Sequence, residues 1–258
     1  MSRYISIEAA KAAVGLRMAC LRGVPSPWAE AARGIFYVKG LDCQYAARSD
    51  DEPEDALSRW AGDSSVPVVA WERESLRTGW AEILILAERL APEPALVPAD
   101  PDARVELFGV AHEICGEMGL GWSLRLLMLQ EALGHGEQGA SVPAEHAAAL
   151  GAKYGLIPAH VRQAKDRVLA VLAVLDVLDR RLRRNPFLVG DALSAADIYW
   201  AVFANFIRPL PDDLLPLAAP LRAMCTQQDG EIVNAFSARL ADHQLEIYQR
   251  HLELPVPL

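Results

Sequence analysis

Two short patterns carry residue types that could do chemistry at the start of a helix. Ser26 precedes Pro27, a pair that favours a helix N-terminus with a hydroxyl at its cap. Gly79 and Trp80 precede an apolar stripe at helical spacing, so a large indole stands where small polar groups are usual. The backbone N–H groups of such a turn favour an anion, whereas the indole donates one hydrogen bond and accepts none.

A third pattern places His112 and Cys115 on one helix face, because they lie three residues apart. A metal site there needs further ligands from elsewhere, and a core thiol beside a polar helix edge is the alternative. The six histidines show no HExxH spacing, and the chain has no glycine-rich phosphate loop. The sequence therefore predicts no metal.

Composition indicates a folded protein of one or two domains. The chain has 258 residues, of which 52% are hydrophobic and 23% are charged, enough for a sizeable core. Its net charge of −9 argues against a nucleic-acid partner. The longest apolar stretch, 168–175, ends at Asp176, too short for a membrane span. Four scattered cysteines and an N-terminus unlike a secretory signal predict a cytoplasmic protein.

The first part of the chain predicts a compact α/β unit over residues 16–91, with residues 1–15 as an N-terminal extension. The unit should hold a four-stranded sheet flanked by helices. Its predicted elements are strands at 15–23, 41–47 and 66–72, a helix from Pro27 closed by Gly40, a short helix within 49–65, a brief strand or turn at 74–78, and a helix at 80–90.

Four prolines in residues 91–103 mark a linker, and residues 103–258 predict only helices. Two helices should be split at Gly119–Gly121 and followed by a loop at 134–141. A long helix is predicted over 158–184, and a last one over 231–251.

The stretch 185–203 contains a predicted capping box. Ser194 and Asp197 stand at N-cap and N3, with Asp in place of the usual Glu. Leu193 and Ile198 can form the hydrophobic staple around them. Any buried helix could begin in this way, so the pattern alone indicates structure and not function.

Three stretches together resemble the cytosolic glutathione transferase superfamily: "SPWA" (26–29), "VPVV" (66–69) and "FLVGDALSAADI" (187–198). The resemblance extends over about residues 16–210. It implies a thioredoxin-like N-terminal domain, an all-α C-terminal domain, glutathione as co-substrate and a homodimer. It also implies an enzyme of detoxification that conjugates or reduces a small hydrophobic electrophile.

The resemblance assigns roles to three residues of the first domain. The backbone of Val66 would pair with the cysteinyl unit of glutathione, and Pro67 would follow a cis peptide bond. Ser26 would donate a hydrogen bond to the thiolate, where the start of the helix favours an anion. A helix cap alone also explains Ser26, and one rotating hydroxyl can do both.

Gly79 and Trp80 depart from the family pattern. In that superfamily an acid or amide followed by serine holds the γ-glutamyl end of glutathione, and both side chains are missing here. Trp80 could plug the pocket, line a changed pocket, or simply pack in the core while Val66 and the helix end still bind glutathione.

The candidate pocket residues for the electrophile are Trp28, His112 and Trp122. Trp122 follows Gly121, where the helical domain of the family faces the electrophile, although a buried aromatic explains it equally well. Two functions stay open: a transferase with an atypical glutathione site, or a non-catalytic binding protein that kept the fold and lost the cofactor.

Overall fold

The computed structural model describes residues 4–49, 51–62, 65–134, 151 and 164–258. The chain forms two compact units. Residues Met1–Val97 and His251–Leu258 make up the first unit, and Pro98–Arg250 make up the helical unit.

The first unit is built on a small mixed sheet. Its strands are β1 (Leu16–Ala19), β2 (Cys43–Ala46) and β3 (Val68–Trp71), in the order β2-β1-β3. β1 runs parallel to β2 and antiparallel to β3, so Ala19 lies opposite Ala46 and Val68. All four residues of the central strand are buried.

The prediction of a fourth strand is wrong within the described residues. Of residues 74–78 only Arg77 pairs with the sheet, through a single bridge to Val69 in which each N–H donates to the other carbonyl. Trp80 already begins the next helix, which leaves two residues between the bridge and the helix and too little chain for a strand.

Four helices belong to the first unit: α1 (Ile7–Ala12), α2 (Pro27–Val38), α3 (Ala56–Ala61) and α4 (Trp80–Leu90). α2 ends where predicted, since Gly40 adopts a positive φ of 61°. The buried ammonium of Lys39 then donates to the carbonyls of Ala91 (2.7 Å) and Pro94 (2.9 Å). It thereby fixes the chain that leaves α4.

Residues 1–15 are more than an extension, because α1 contributes to the core of the first unit. Ile7 and Ala10, three positions apart, are buried together with Ala46, Ala56 and Val68. The last eight residues, predicted to belong to the all-helical domain, also lie with the first unit.

The helical unit contains no strand among its described residues. Its helices are α5 (Pro101–Cys115), α6 (Leu120–Gly134), α7 (Ala164–Leu182), α8 (Ala195–Phe203), α9 (Ala219–Cys225), α10 (Gly230–Ala235) and α11 (Ala238–His251), with a 3₁₀ turn at Ala204–Phe206. Gly134, the first residue of the loop predicted at 134–141, is the last residue of α6. The rest of that loop and the predicted start of the long helix at 158–163 lie outside the described residues. No helix in the described part of the chain is long and apolar enough to cross a membrane.

The predicted last helix over 231–251 is two helices, α10 and α11, which meet at Phe236 and Ser237. The Ser237 hydroxyl accepts the N–H of Leu240 at 3.3 Å and donates to Asp179 of α7 at 2.5 Å. Because this serine caps the second helix, the chain turns there.

The capping box at the start of α8 is confirmed and is buried. Asp197 is fully buried and accepts from the N–H groups of Leu188 (2.8 Å) and Ser194 (2.9 Å). It also accepts from the Ser194 hydroxyl at 2.7 Å, and Nε2 of His243 on α11 lies 3.1 Å away. A local capping motif thus also ties α11 to α8.

Candidate functional site

The peptide bond between Val66 and Pro67 is cis, as predicted. It leads directly into β3, and the antiparallel pairing of Val68 with Ala19 puts it beside the end of β1. Within the described part of the chain, the backbone of Val66 makes no hydrogen bond. A peptide-like ligand could therefore pair with it there.

Ser26 lies at the N-terminus of α2 and is buried. Its hydroxyl does not cap the helix; instead its backbone N–H donates to the Glu30 carboxylate at 2.7 Å. The hydroxyl therefore is not engaged in capping, and Ser26 lines a small cavity at the end of β1. Glu30 places a carboxylate at the same helix end.

A buried arginine, which the sequence analysis did not single out, organises this cavity. Arg33 donates from Nη2 to the hydroxyl of Tyr4 at 3.0 Å and lies 3.7 Å from the Cys20 sulfur. Its guanidinium also stacks 4.0 Å over the ring of Tyr45. Its Nη1 is buried and has no hydrogen-bond partner among the described residues. An uncommitted donor of this kind is uncommon in a folded protein.

Cys20 is held as a neutral thiol. Burial raises the pKa of the Cys20 thiol, and the nearby Arg33 charge offsets only part of that rise. The sulfur lies 3.5 Å from the carbonyl of Ala46, to which it can donate. Cys20 is therefore a buried side chain beneath the cavity and not an activated nucleophile.

A sequence signal for Arg33 does exist. Ala29, Arg33 and Phe36 recur at helical spacing on one face of α2, and all three are buried. An arginine within an apolar stripe indicates a buried charge with a partner. Its partner Tyr4 lies 29 positions earlier in the chain, so no local pattern could have named it.

Gly79 is the N-cap of α4, and Trp80 is its first residue. The Glu82 carboxylate lies 3.4 Å from the Gly79 N–H, so an acid of the chain itself already faces this helix end. Trp80 is half-buried, which favours a residue at the edge of a site over a core residue.

The three candidate pocket residues differ in position. Trp28 is half-buried in the first turn of α2, two residues from Ser26. Trp122 is half-buried on α6 of the helical unit. His112 is exposed, and its ring lies over Gly116 at the end of α5, so its place in an apolar pocket stays a prediction.

Cys115, which shares a helix with His112, is fully buried, so burial raises the pKa of its thiol well above the usual value. Among the described residues no three His, Cys, Asp or Glu side chains lie close enough to hold a metal ion.

Comparison with known proteins identifies the fold. Residues 158–225 match the family described as glutathione S-transferase, C-terminal domain. No curated protein is significantly similar to the chain in sequence.

Solved structures of glutathione S-transferases are similar over nearly the whole chain. A glutathione transferase family member from Pseudomonas fluorescens, solved with two glutathione bound, has a TM-score of 0.62 at 14% identity and covers 92% of this chain and 89% of its own. The enzyme from Methylobacterium radiotolerans, in complex with glutathione sulfonate, has a TM-score of 0.58 at 17% identity and covers 92% of both chains. The enzyme from Xanthobacter autotrophicus has a TM-score of 0.56 at 16% identity and covers 94% of this chain and 98% of its own. At such identities the likeness establishes the fold.

Proposed function

We propose that the chain is a member of the glutathione transferase superfamily and that it binds glutathione through an altered, weak site. It would use the bound thiol to conjugate or reduce a small hydrophobic electrophile.

The backbone of Val66, which makes no hydrogen bond within the described part of the chain, carries the proposal. The pairing of Val68 with Ala19 puts this backbone at the end of β1, next to the strand that leads towards Ser26. A cysteinyl residue could hydrogen-bond to Val66 in the manner of an added strand. This contact needs no particular side chain at Val66, so it is compatible with a divergent sequence.

Ser26 would stabilise the glutathione thiolate. Its hydroxyl can donate to sulfur because it does not cap α2, and the thiol proton would leave to solvent. The thiolate sulfur would then form the bond to the electrophile. Each unit by which the thiol pKa falls is about 1.4 kcal/mol of preferential stabilisation of the anion.

Two acids oppose tight binding. The Glu30 carboxylate at the start of α2 would repel the thiolate, and Glu82 at the start of α4 would compete with the γ-glutamyl carboxylate. Gly79 and Trp80 supply neither the acceptor nor the hydroxyl of the family pattern. We therefore expect a dissociation constant weaker than about 1 mM, less than about 4.1 kcal/mol of binding free energy.

Titration calorimetry with glutathione tests the proposal in the wild type and in the double variant Gly79→Glu with Trp80→Ser. The variant restores an acceptor for the ammonium and a donor for the carboxylate, and at least tenfold tighter binding is expected. Trp80→Phe, which removes the indole N–H but keeps a ring, is the control and should leave binding weak.

The alternative function is a binding protein without glutathione chemistry, which the two opposing acids favour. If neither folded protein binds glutathione at 10 mM, this alternative replaces the transferase. If the wild type already binds glutathione at micromolar concentration, Trp80 lines the site and does not block it.

The remaining parts of the proposal are a cytoplasmic homodimer and an apolar electrophile site, for which Trp28 is the candidate residue of the first unit. Light scattering at micromolar protein concentration tests the dimer: a mass near 28.2 kDa, that of one chain, would contradict it.

A further inference from the structure

Residues 252–258 follow α11 and lie with the first unit. They are anchored unevenly. Leu252 and Val256 are buried, whereas Pro255 is exposed and Pro257 and Leu258 are half-buried. Val256 is thus the buried anchor beside Pro257 and Leu258, which are themselves held less tightly.

Pro257 and Leu258 line the same cavity as Ser26, Cys20 and Arg33. The space left between them is about 10 Å³, roughly what one water molecule requires. A thiol with its methylene group is larger than one water. The sulfur of glutathione therefore cannot reach Ser26 while these two residues stay where they are.

The cavity also contains a hydrogen-bond donor. Nη1 of Arg33 is buried without a partner among the described residues, and Arg33 lines this cavity. A water molecule or an anionic group in the cavity could accept a hydrogen bond from this nitrogen.

We propose that residues 257 and 258 close the thiol end of the proposed glutathione site and must move aside before glutathione binds. The inference rests on the proposed function for the identity of the ligand. The closure itself rests on the shared cavity and the buried anchor. The apparent affinity for glutathione is then the affinity of the open state multiplied by the fraction of molecules that are open.

Two variants test the closure. The first is a chain that ends at Val256, which removes the closing pair and keeps the anchor. The second is Leu258→Ala, matched with Leu254→Ala, because Leu254 lies in the same segment but does not line the cavity. Thermal melting first identifies which variants are folded. Should the shortened chain not fold, the two Leu→Ala variants make the same comparison.

The first readout is the alkylation rate of Cys20 by iodoacetamide, mapped by mass spectrometry. Cys20 lines the cavity, whereas Cys115 and Cys225 are buried in the helical unit and serve as internal controls. The shortened chain should label Cys20 at least about tenfold faster, Leu258→Ala should label it severalfold faster, and Leu254→Ala should match the wild type. Unchanged labelling of Cys20 in both cavity variants would overturn the closure.

The second readout is glutathione binding by calorimetry. Glutathione should bind about tenfold tighter to the shortened chain than to the wild type. If Cys20 labelling rises but no variant binds glutathione, the closure holds and the proposed function fails. If the shortened chain binds glutathione no tighter than the wild type, the segment does not gate the thiol and the inference fails while the function stands.

Discussion

Two buried charged side chains, Asp197 in the helical unit and Arg33 in the first unit, are satisfied to different degrees. Asp197 has four hydrogen-bonding partners, two backbone N–H groups, a hydroxyl and a histidine. Arg33 keeps one buried nitrogen without a partner among the described residues and lines a cavity. The first group has no capacity left for a ligand, whereas the second does. What separates a structural charged side chain from a candidate functional one is therefore whether all of its hydrogen-bonding groups have partners, and not whether it is buried.

Asp197→Ala should have the largest effect on stability. The change leaves the N–H groups of Leu188 and Ser194 buried without an acceptor and removes the partner of His243. We expect a loss of about 3–5 kcal/mol in the free energy of unfolding, measured by urea denaturation. Asp197→Asn keeps the shape and one acceptor and should cost about half as much. A loss below about 1 kcal/mol for the alanine variant would contradict the buried network.

Gly121→Ala tests the packing against the helix that carries Asp197. A Cβ at Gly121 would overlap the ring of Phe203, the last residue of α8. Overpacking of this kind should cost about 2–3 kcal/mol by the same denaturation measurement. Gly109→Ala is the matched control, because Gly109 is an exposed glycine inside α5 with open space around it. That change should stabilise by about 0.5–1 kcal/mol. Equal effects of the two changes would mean that α6 and α8 are not in close contact.

Arg33→Met should cost less than Asp197→Ala although both side chains are buried. It removes the bond to Tyr4 and the stacking on Tyr45, but it also removes the unpaired Nη1. We expect a loss of about 1–2 kcal/mol in the free energy of unfolding. A cost as large as that of Asp197→Ala would show that Arg33 is as fully engaged as the aspartate, and the contrast between the two regions would fail.

The same two regions show what the sequence can predict. Ser194 and Asp197 are three positions apart, so local chemistry was enough to predict the capping box. The cis bond before Pro67 was predicted from the family resemblance and not from local chemistry. His243 joins Asp197 from 46 positions away, and no local spacing announces that contact.

The cavity was harder to predict for the same reason. Tyr4, Cys20, Arg33 and Leu258 meet only because the chain folds on itself, and all four lie outside the motif at 26–29. The fourth strand was predicted wrongly because residues 74–78 are too few to hold both a strand and the start of a helix. The spacing of apolar residues identifies the buried face of a helix or strand, but it does not show which distant faces pack against each other.

Glu52 extends the comparison of charged side chains to the protein surface, where a substitution should change the free energy of unfolding least. Its carboxylate accepts from the N–H groups of Ile7 (3.1 Å), Glu8 (2.7 Å) and Ser49 (2.9 Å), so it serves the start of α1 as Asp197 serves α8. Unlike Asp197 it is only partly buried, and water can replace it. Glu52→Gln should therefore destabilise by about 0.5–1 kcal/mol at pH 7.

The pH dependence of that difference follows from the pKa of Glu52. Burial acts to raise this pKa, but the N–H groups of Ser49, Glu8 and Ile7 outweigh it and bring the pKa below its ordinary value. A carboxyl with a depressed pKa in the folded state contributes stability above its unfolded pKa of about 4.3 and loses it as pH falls through the folded value. Urea denaturation from pH 7 to about pH 2.5 should therefore show the stabilities of wild type and Glu52→Gln converging below about pH 4.5. Glu54→Gln, a change at an exposed neighbour, is the control and should match the stability of the wild type at pH 7. A gap that stays constant down to about pH 2.5 would show that the Glu52 charge contributes nothing to the start of α1.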